Sequence, residues 1–389
     1  MEFIRRIRAV RLAEKPFFRI TFKVMDILSM IALIVLFVLH GWVMTEYADT
    51  LASTLLHVQL IVVSRSFILQ LRYIRQLGAW LVFLANAIMV PIIARQVPMG
   101  QFIEIYVSLI LILIMFRQVV LPRGVFLAIH LICALFLTYF LGLAENMLAY
   151  PSYYYVFGHA YNENTVGILA VACMMHWGCF FDMLRVKVRY RILGQLLGMI
   201  LGWYYVLHTD CRSALIAAVL FTVLYFFCFR VIPARLYQIV LSLALAVLVA
   251  FPFLYIKWSS MVEHTNRFKM FGSTVFTGRE KLWQTALDAV RENPWIGAGL
   301  STTTSMHHVL VELGLRFGVI AVISFCLLLV FKDKRIGKCR TSRLAQISFL
   351  ACMAIACFES FFTDRYLCFF FLSFLLTAVK GNKRDASQK

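Results

Sequence analysis

The sequence predicts an all-α, polytopic integral membrane protein, and three observations support this prediction. Apolar residues make up 62% of the 389 positions and the mean hydropathy is +0.83, far above the level of a soluble globular chain. These residues are gathered into windows long enough to cross a bilayer. Basic residues follow every second window, which is the asymmetry that orients membrane proteins.

The predicted membrane-spanning helices number about twelve, each close to the ~17–25 residues that a bilayer requires. A basic arm precedes the first window and lacks a small-residue cleavage site, so we expect a retained anchor rather than a cleaved signal. The windows are Val24–Met44, Leu51–Gln70, Leu77–Ala94, Gln101–Phe116, Leu121–Leu143, Thr165–Leu184, Ile192–His208, Ser213–Val231, Leu236–Ile256, Val309–Phe331, Arg343–Phe361 and Tyr366–Val379.

The distribution of basic residues predicts the orientation. Lysine and arginine follow each even-numbered window, so the positive-inside rule makes both termini cytoplasmic. Most of the net charge of +19 is thereby explained, and we expect a lipid bilayer rather than nucleic acid as its partner. The predicted parts are a cytoplasmic arm (1–23), transmembrane helices 1–9 (24–256), an extracytoplasmic loop (257–308), transmembrane helices 10–12 (309–380) and a cytoplasmic tail (381–389).

The predicted extracytoplasmic loop is basic, against the trend of the other external segments. Within it, Thr277 to Glu280 has the form of a capping box, and apolar residues then recur with helical spacing until Pro294. This predicts an amphipathic helix with Gly278 and Arg279 in its first turn, where backbone N–H groups favour an anion. The alternative is a helix lying on the membrane with Arg279 solvated.

A charged residue, Arg212, lies at the predicted outer end of a span. Arg212 opens a span with Thr209 or Asp210 as the expected N-cap, and it either joins an anion site or snorkels to water. Such a site fits a lipid-linked pyrophosphate, because arginine recognises phosphate with two parallel hydrogen bonds.

A pair of histidines opens the tenth window. His308, Glu312 and Arg316 follow at four-residue spacing, which predicts an intrahelical Glu312–Arg316 pair and a structural place for His308. His307 is left without an evident structural partner and is the candidate for taking a proton from a hydroxyl.

The remaining histidines and the cysteines predict no metal site and no cofactor. The ten cysteines are scattered through apolar runs without a C-x-x-C pair, and they are expected to be buried thiols. His57, His130 and His176 lie inside spans, where interhelical hydrogen bonding is the expected role.

Taken in order, the segments CRSALIAAVL, GREKLWQTALDAVRENPWIGAGL and HHVLVELGLRFG resemble the three motifs of the O-antigen ligase and O-antigen polymerase superfamily. The family pattern is an arginine in an S-R-G-A-like turn, then G-R-x-x-x-W with P-x-x-G-x-G, then H-N opening a span that reaches a glycine. Counting back from Gly318 selects His307 as the family histidine. The chain departs from the pattern at Cys211, in place of serine, and at His308, in place of asparagine.

The resemblance covers roughly residues 158–330, and it also includes FGHAYNENTVGILA, where the family has an asparagine before a span, pointing to Asn162 or Asn164. It implies a GT-C-like, metal-independent, inverting glycosyltransferase of the bacterial cytoplasmic membrane, facing outward. The donor would be an undecaprenyl-pyrophosphate-linked oligosaccharide and the acceptor a glycan or lipid-linked glycan. The implied catalytic residues are His307, Arg279 and Arg212, with substrate binding also by Gly278, Trp283, Asn164 and His308.

Three function classes remain open on the sequence. The polymerase of O-antigen, capsule or exopolysaccharide is favoured over a ligase that joins the glycan to the lipopolysaccharide core on lipid A, because the loop has no feature specific to that core. A transporter or flippase would need midplane charges, for which Asp26, Arg65 and Glu104 are candidates. A scaffold protein would tolerate neutral substitutions at Arg212 and Arg279.

Overall fold

The computed structural model describes residues 123–144, 153–156, 159–184, 186–228, 234–262, 269–270, 273–274, 279–295, 297–298, 306–331, 343–360 and 367–380. The predicted arm, the first four predicted spans and the predicted tail lie outside the described residues, as do Asp26, His57, Arg65, Glu104, Thr277 and Gly278. Within the described residues the chain is mostly helical.

The described elements are helices and two small hairpins. In chain order they are α1 (Arg123–Leu143), β1 (Tyr153–Val156), β2 (His159–Asn162), α2 (Glu163–Met183), α3 (Val188–His208), α4 (Arg212–Val223, continued by a π-helical turn over Leu224–Cys228), α5 (Ala234–Val262), β3 (Lys269–Met270), β4 (Ser273–Thr274), α6 (Arg279–Glu292), α7 (Val309–Phe331), α8 (Arg343–Ala356) and α9 (Leu367–Lys380).

Membrane-spanning character is confirmed for part of the predicted set. Of the described helices, three are long and apolar enough to cross a membrane, over Phe126–Leu143 in α1, Glu163–Met183 in α2 and Leu236–Met261 in α5. Shorter apolar helical segments cover Arg212–Phe227 and Arg343–Ala356. Large apolar side chains stay exposed along α3 and α5, as expected for faces that meet lipid. The chain is therefore a helical membrane protein.

A stripe of glycines joins α3 to α2. Gly194, Gly198 and Gly202 recur every fourth residue, so they share one face of α3. A Cβ at these positions would overlap Phe181, Trp177 and Met174 of α2, respectively. Small residues at this spacing let two membrane helices approach closely, which compensates for the weak hydrophobic drive between helices in lipid.

Buried histidines connect α1, α2 and α9. His130 Nδ1 lies 2.9 Å from His176 Nδ1, and His130 Nε2 lies 2.8 Å from the Thr377 hydroxyl. Thr377 donates its hydroxyl proton to the carbonyl of Ser373, so it accepts from His130, whose Nδ1 then accepts from His176. The predicted interhelical role of these two histidines is confirmed.

Helix α7 is broken at Gly318, which has a φ of 77°. In an unbroken helix the Val319 N–H would donate to the Leu315 carbonyl. Here Val319 donates to the carbonyl of Pro294 (2.8 Å), while Leu315 accepts from the Ala298 N–H (2.6 Å). The turn after α6 thus supplies both partners that the break removes.

The two hairpins differ from the all-α prediction. β1 and β2 pair antiparallel, with Tyr153 opposite Asn162, in a tyrosine-rich segment whose aromatic residues favour strands. The Tyr154 hydroxyl donates to the His208 carbonyl, which attaches the hairpin to the end of α3. Asn162 ends β2 and caps α2 by accepting the Thr165 N–H at 2.8 Å.

Candidate functional site

The predicted amphipathic helix is confirmed as α6, and its apolar face packs against protein. Trp283 is fully buried, with its ring centroid 5.0 Å from that of Tyr255 and 5.9 Å from that of Phe251, both on α5. Ala286, one turn later, is also buried. The expectation of a solvated Arg279 is wrong, because Arg279 is bound by other residues of the chain.

Arg279 and His307 meet at Glu359, in the turn after α8. Arg279 Nη2 lies 3.1 Å from Glu359 Oε1, and His307 Nδ1 lies 2.8 Å from Glu359 Oε2. Arg279 Nη1 also donates to the Phe358 carbonyl at 2.6 Å. The side chains of Glu359, Arg279 and His307 are 10%, 19% and 32% exposed, so the cluster lies at an accessible boundary. Because Nδ1 is engaged by the carboxylate, a base acting from this imidazole acts through Nε2.

The backbone around His307 is held in a left-handed conformation. His307 has a φ of 51°, which is uncommon for a residue other than glycine and persists where neighbouring contacts enforce it. The Met306 carbonyl accepts the Trp283 indole N–H at 2.6 Å, and the Met306 N–H donates to Glu312 at 3.3 Å. On the other side, the His308 N–H donates to the Ser360 hydroxyl at 3.0 Å. These bonds define the histidine turn, residues 306–308.

The predicted pair of Glu312 and Arg316 is confirmed, with Glu312 Oε1 2.6 Å from Arg316 Nη2. The pair is largely buried, which makes each charge dependent on the other. Glu312 therefore connects Arg316 to the histidine turn through its second oxygen.

His308 caps α7. Its Nδ1 accepts the N–H of Val311, the third residue of the helix, which is the bond an N-cap side chain makes. The ring is buried, with its centroid 5.3 Å from Trp283 and 6.4 Å from Phe251. Burial lowers the pKa of His308 to about 3, and a neutral ring is the form that accepts from Val311. Asparagine, the family residue at this position, is a preferred N-cap, so the departure preserves the capping role.

Arg212 begins α4, as predicted, but the expected caps are wrong. The N-cap residue is Cys211, which makes no side-chain capping bond. Thr209 instead donates its hydroxyl proton to the Val206 carbonyl at the end of α3. Burial raises the pKa of the Cys211 thiol to about 11; a hydrogen bond from Ser213 opposes this, and the Glu359 and Glu163 carboxylates add to it.

The remaining predicted residues lie around the starts of α2 and α4 and around the histidine turn. The backbone carbonyl of Asn164 is 3.7 Å from Cys211 Sγ, so Asn164 lies beside the start of α4. Arg212 and Asp210 both interact electrostatically with Glu163, in the first turn of α2. Trp283 and His308 are buried and hold the histidine turn in this structure. Gly278 lies outside the described residues.

Glu359 is the site residue that sequence reasoning missed. It lies within the apolar window Arg343–Phe361, where a carboxylate is costly unless it is paired or functional. A carboxylate inside an apolar window is therefore the sequence signal that points to Glu359 as a site residue. The partners could not be predicted, because Arg279 and Glu359 are 80 residues apart in the chain.

The fold and the site define a class: a helical membrane protein with an arginine, a glutamate and a histidine joined where a loop helix meets the bundle. Residues 197–326, about a third of the chain, match the family model described as O-antigen ligase. This match includes Arg212, Arg279, Trp283 and His307, and it confirms the resemblance to the O-antigen ligase and polymerase superfamily. No curated protein and no solved structure shows significant similarity to the chain. The family supports a function of the ligase or polymerase type.

Proposed function

We propose that this protein is a membrane glycosyltransferase that polymerises undecaprenyl-pyrophosphate-linked oligosaccharide repeats into O-antigen, capsule or exopolysaccharide. The observation that carries the proposal is the contact of Arg279 and His307 with one carboxylate, Glu359, within and beside the family match. Arginine provides phosphate recognition and histidine provides proton transfer, which are the two requirements of this reaction.

The proposed setting is the bacterial cytoplasmic membrane. We propose about twelve membrane-spanning helices in a GT-C-like arrangement, both termini in the cytoplasm and the site facing outward, because the basic residues of the sequence follow the even-numbered spans. In that orientation the loop helix α6 lies on the side where lipid-linked glycans are extended.

The proposed reaction is an inverting displacement. The oxygen of an acceptor hydroxyl forms a bond to C1 of the donor sugar while the bond from C1 to the diphosphate oxygen breaks. The bonding electron pair leaves with the diphosphate, and the hydroxyl proton passes to His307 Nε2. Attack on the face opposite the leaving group inverts C1. General-base assistance of this kind is worth about 10²–10⁴-fold.

The departing diphosphate gains negative charge, and cations arranged beforehand stabilise it. We propose Arg212 and Arg279 for this role, with the N–H groups at the start of α6, including that of Gly278, as further donors. This mechanism needs no metal ion. Asn164 is proposed to contact the glycan, while Trp283 and His308 act on substrate through the histidine turn that they hold.

The acceptor separates the two members of the proposed class. In a polymerase it is a second lipid-linked repeat, and in a ligase it is the lipopolysaccharide core on lipid A. Within the described part of the loop, α6 packs on α5, the turn after α6 packs on α7, and neither carries a feature specific to a core oligosaccharide. The polymerase is therefore the primary proposal and the ligase the alternative.

The test is incubation of the purified protein with a polyprenyl-pyrophosphate oligosaccharide, alone and with lipid A core, followed by mass spectrometry of the products. Extension of the donor alone supports a polymerase, and transfer to the core supports a ligase. His307→Ala and Arg279→Ala should each abolish the product. Arg291→Ala is the matched control, because Arg291 lies on α6 in an exposed pair with Asp288.

Two results would contradict the proposal that this protein is a glycosyltransferase. Full activity in both His307→Ala and Arg279→Ala would remove the mechanism. Movement of the lipid-linked glycan across vesicles, without formation of a glycosidic bond, would indicate a transporter instead.

A further inference from the structure

The carboxylate of Glu359 is divided between two groups of the proposed mechanism. Oε1 accepts from Arg279 Nη2, and Oε2 pairs with His307 Nδ1. The other terminal nitrogen of Arg279, Nη1, donates to the carbonyl of Phe358. Both terminal nitrogens of the guanidinium are thus engaged by successive residues of one turn.

A guanidinium grips carboxylates and phosphates with the same fork of N–H groups. The guanidinium has five N–H groups, and Phe358 and Glu359 take one each. A diphosphate on Arg279 therefore competes with Glu359 chiefly for the positive charge and for the position beside Nη2. A carboxylate that loses Arg279 keeps His307, which is held at its second oxygen.

We propose that Glu359 occupies Arg279 until the donor diphosphate takes its place, and that the released carboxylate then acts wholly on His307, so that the base is activated only when donor is bound. This inference rests on the proposed function, which supplies the diphosphate. Before binding, one carboxylate balances a guanidinium and orients an imidazole. After binding, the diphosphate balances the guanidinium, and Glu359 stabilises the imidazolium that forms when His307 accepts the hydroxyl proton.

The other titratable groups around the histidine turn have contacts of their own. Glu312, a second carboxylate beside the histidine turn, is bound by Arg316 and the Met306 N–H. Glu163 lies on α2 and interacts with Arg212. His308 is buried beneath the turn and caps α7. The contacts of Glu359 are made to the two groups that the reaction would use.

The first test measures binding of inorganic pyrophosphate to the purified full-length protein by calorimetry. Glu359→Gln removes the charge that competes for Arg279 while preserving size, so pyrophosphate should bind about tenfold more tightly than to wild type. Glu359→Asp keeps the competing charge and should stay near wild type. A purely structural Glu359 predicts unchanged or weaker binding in Glu359→Gln, and that result would overturn the proposal.

The kinetic counterpart is a split between turnover and KM. Glu359→Gln should lower kcat for glycan transfer by about 10²-fold, because His307 loses its carboxylate, without raising KM for the lipid-linked donor. A rise in KM together with loss of kcat would contradict the exchange.

A measurement on wild type covers the case in which Glu359→Gln does not fold. The rate of His307 modification by diethyl pyrocarbonate, followed by peptide mass spectrometry, reports the neutral imidazole as a function of pH. Pyrophosphate should move the midpoint of this curve to higher pH, and an unmoved midpoint would overturn the proposal.

Binding and modification with pyrophosphate use no glycan, so the two proposals fail separately. Tighter binding in Glu359→Gln without any glycan transfer by wild type would refute the proposed function and keep the exchange. Glycan transfer by wild type without tighter binding in Glu359→Gln would support the proposed function and refute the exchange.

Discussion

The indole N–H of Trp283 donates to the carbonyl of Met306 at 2.6 Å, which connects the G-R-x-x-x-W motif to the residue before His307. Arg279 lies one turn earlier on the same face of α6 and is bound through Glu359 to His307. Two residues on one face of α6 therefore hold the histidine turn. Trp283 binds its backbone, and Arg279 is connected to the His307 side chain through Glu359.

Trp283→Phe should preserve most of the packing on α5 and remove the bond to Met306. A buried carbonyl without a donor costs about 1–3 kcal/mol. We expect a lower unfolding midpoint and a fall in glycan transfer of about tenfold or more, since a small displacement of a catalytic group costs up to ~10²-fold. Gln284→Ala, at an exposed position of α6, is the control. Unchanged glycan transfer by Trp283→Phe would show that the indole N–H of Trp283 does not position His307.

Gly297→Ala should detach the turn after α6 from the break in α7. Gly297 has a φ of 69°, and a Cβ there would overlap the Leu315 carbonyl. A left-handed alanine alone costs about 1–2 kcal/mol. We expect lower thermal stability and loss of transfer. Gly142→Ala is the control, because nothing lies within 4 Å of its added Cβ. Equal stability of the two variants would contradict the conclusion that the turn after α6 stabilises the break in α7.

Loss of stability in acid should depend on His308. Its folded pKa of about 3 lies below the ordinary 6.5, so the unfolded chain binds more protons between these values. The contribution of His308 is therefore complete above pH 6.5 and falls as pH drops toward 3, by up to about 1.4 kcal/mol per pH unit.

Unfolding midpoints of wild type, His308→Asn and His308→Ala across this pH range test the assignment. Asparagine can accept from Val311 without titrating, so His308→Asn should keep the capping bond, lose the ring packing on Trp283 and Phe251, and lose part of the acid slope. His308→Ala should be less stable than His308→Asn at every pH, because it lacks the capping acceptor. An identical slope in wild type and His308→Asn would assign the slope to another group.

Glu312→Gln should destabilise the protein by about 3 kcal/mol or more, because it leaves Arg316 largely buried without its carboxylate. Asp288→Asn removes a similar helical pair with Arg291, whose side chains are 72% (Arg291) and 50% (Asp288) exposed. That control should change stability by less than about 0.5 kcal/mol. Chemical or thermal unfolding of the two variants makes the comparison, and a small effect in both would argue that the Glu312 bond is not structural.

Local patterns were sufficient to predict several parts of this protein. The helical spacing after Thr277 predicted α6, the four-residue spacing predicted the Glu312–Arg316 pair, and hydropathy predicted a membrane protein. Each rests on contacts within one helix or on composition. The glycine stripe of α3 is equally local, because its four-residue spacing can be read from the sequence.

The sequence by itself determined the helical membrane class, the three motifs and the separate candidates Arg212, Arg279 and His307. Only the tertiary structure decided that Arg279 and His307 share Glu359, that Trp283 holds Met306, and that the turn after α6 completes the break in α7. The reason is physical: helical spacing sets which residues share a face, whereas a hydrogen bond between residues far apart in the chain exists only after helices have packed.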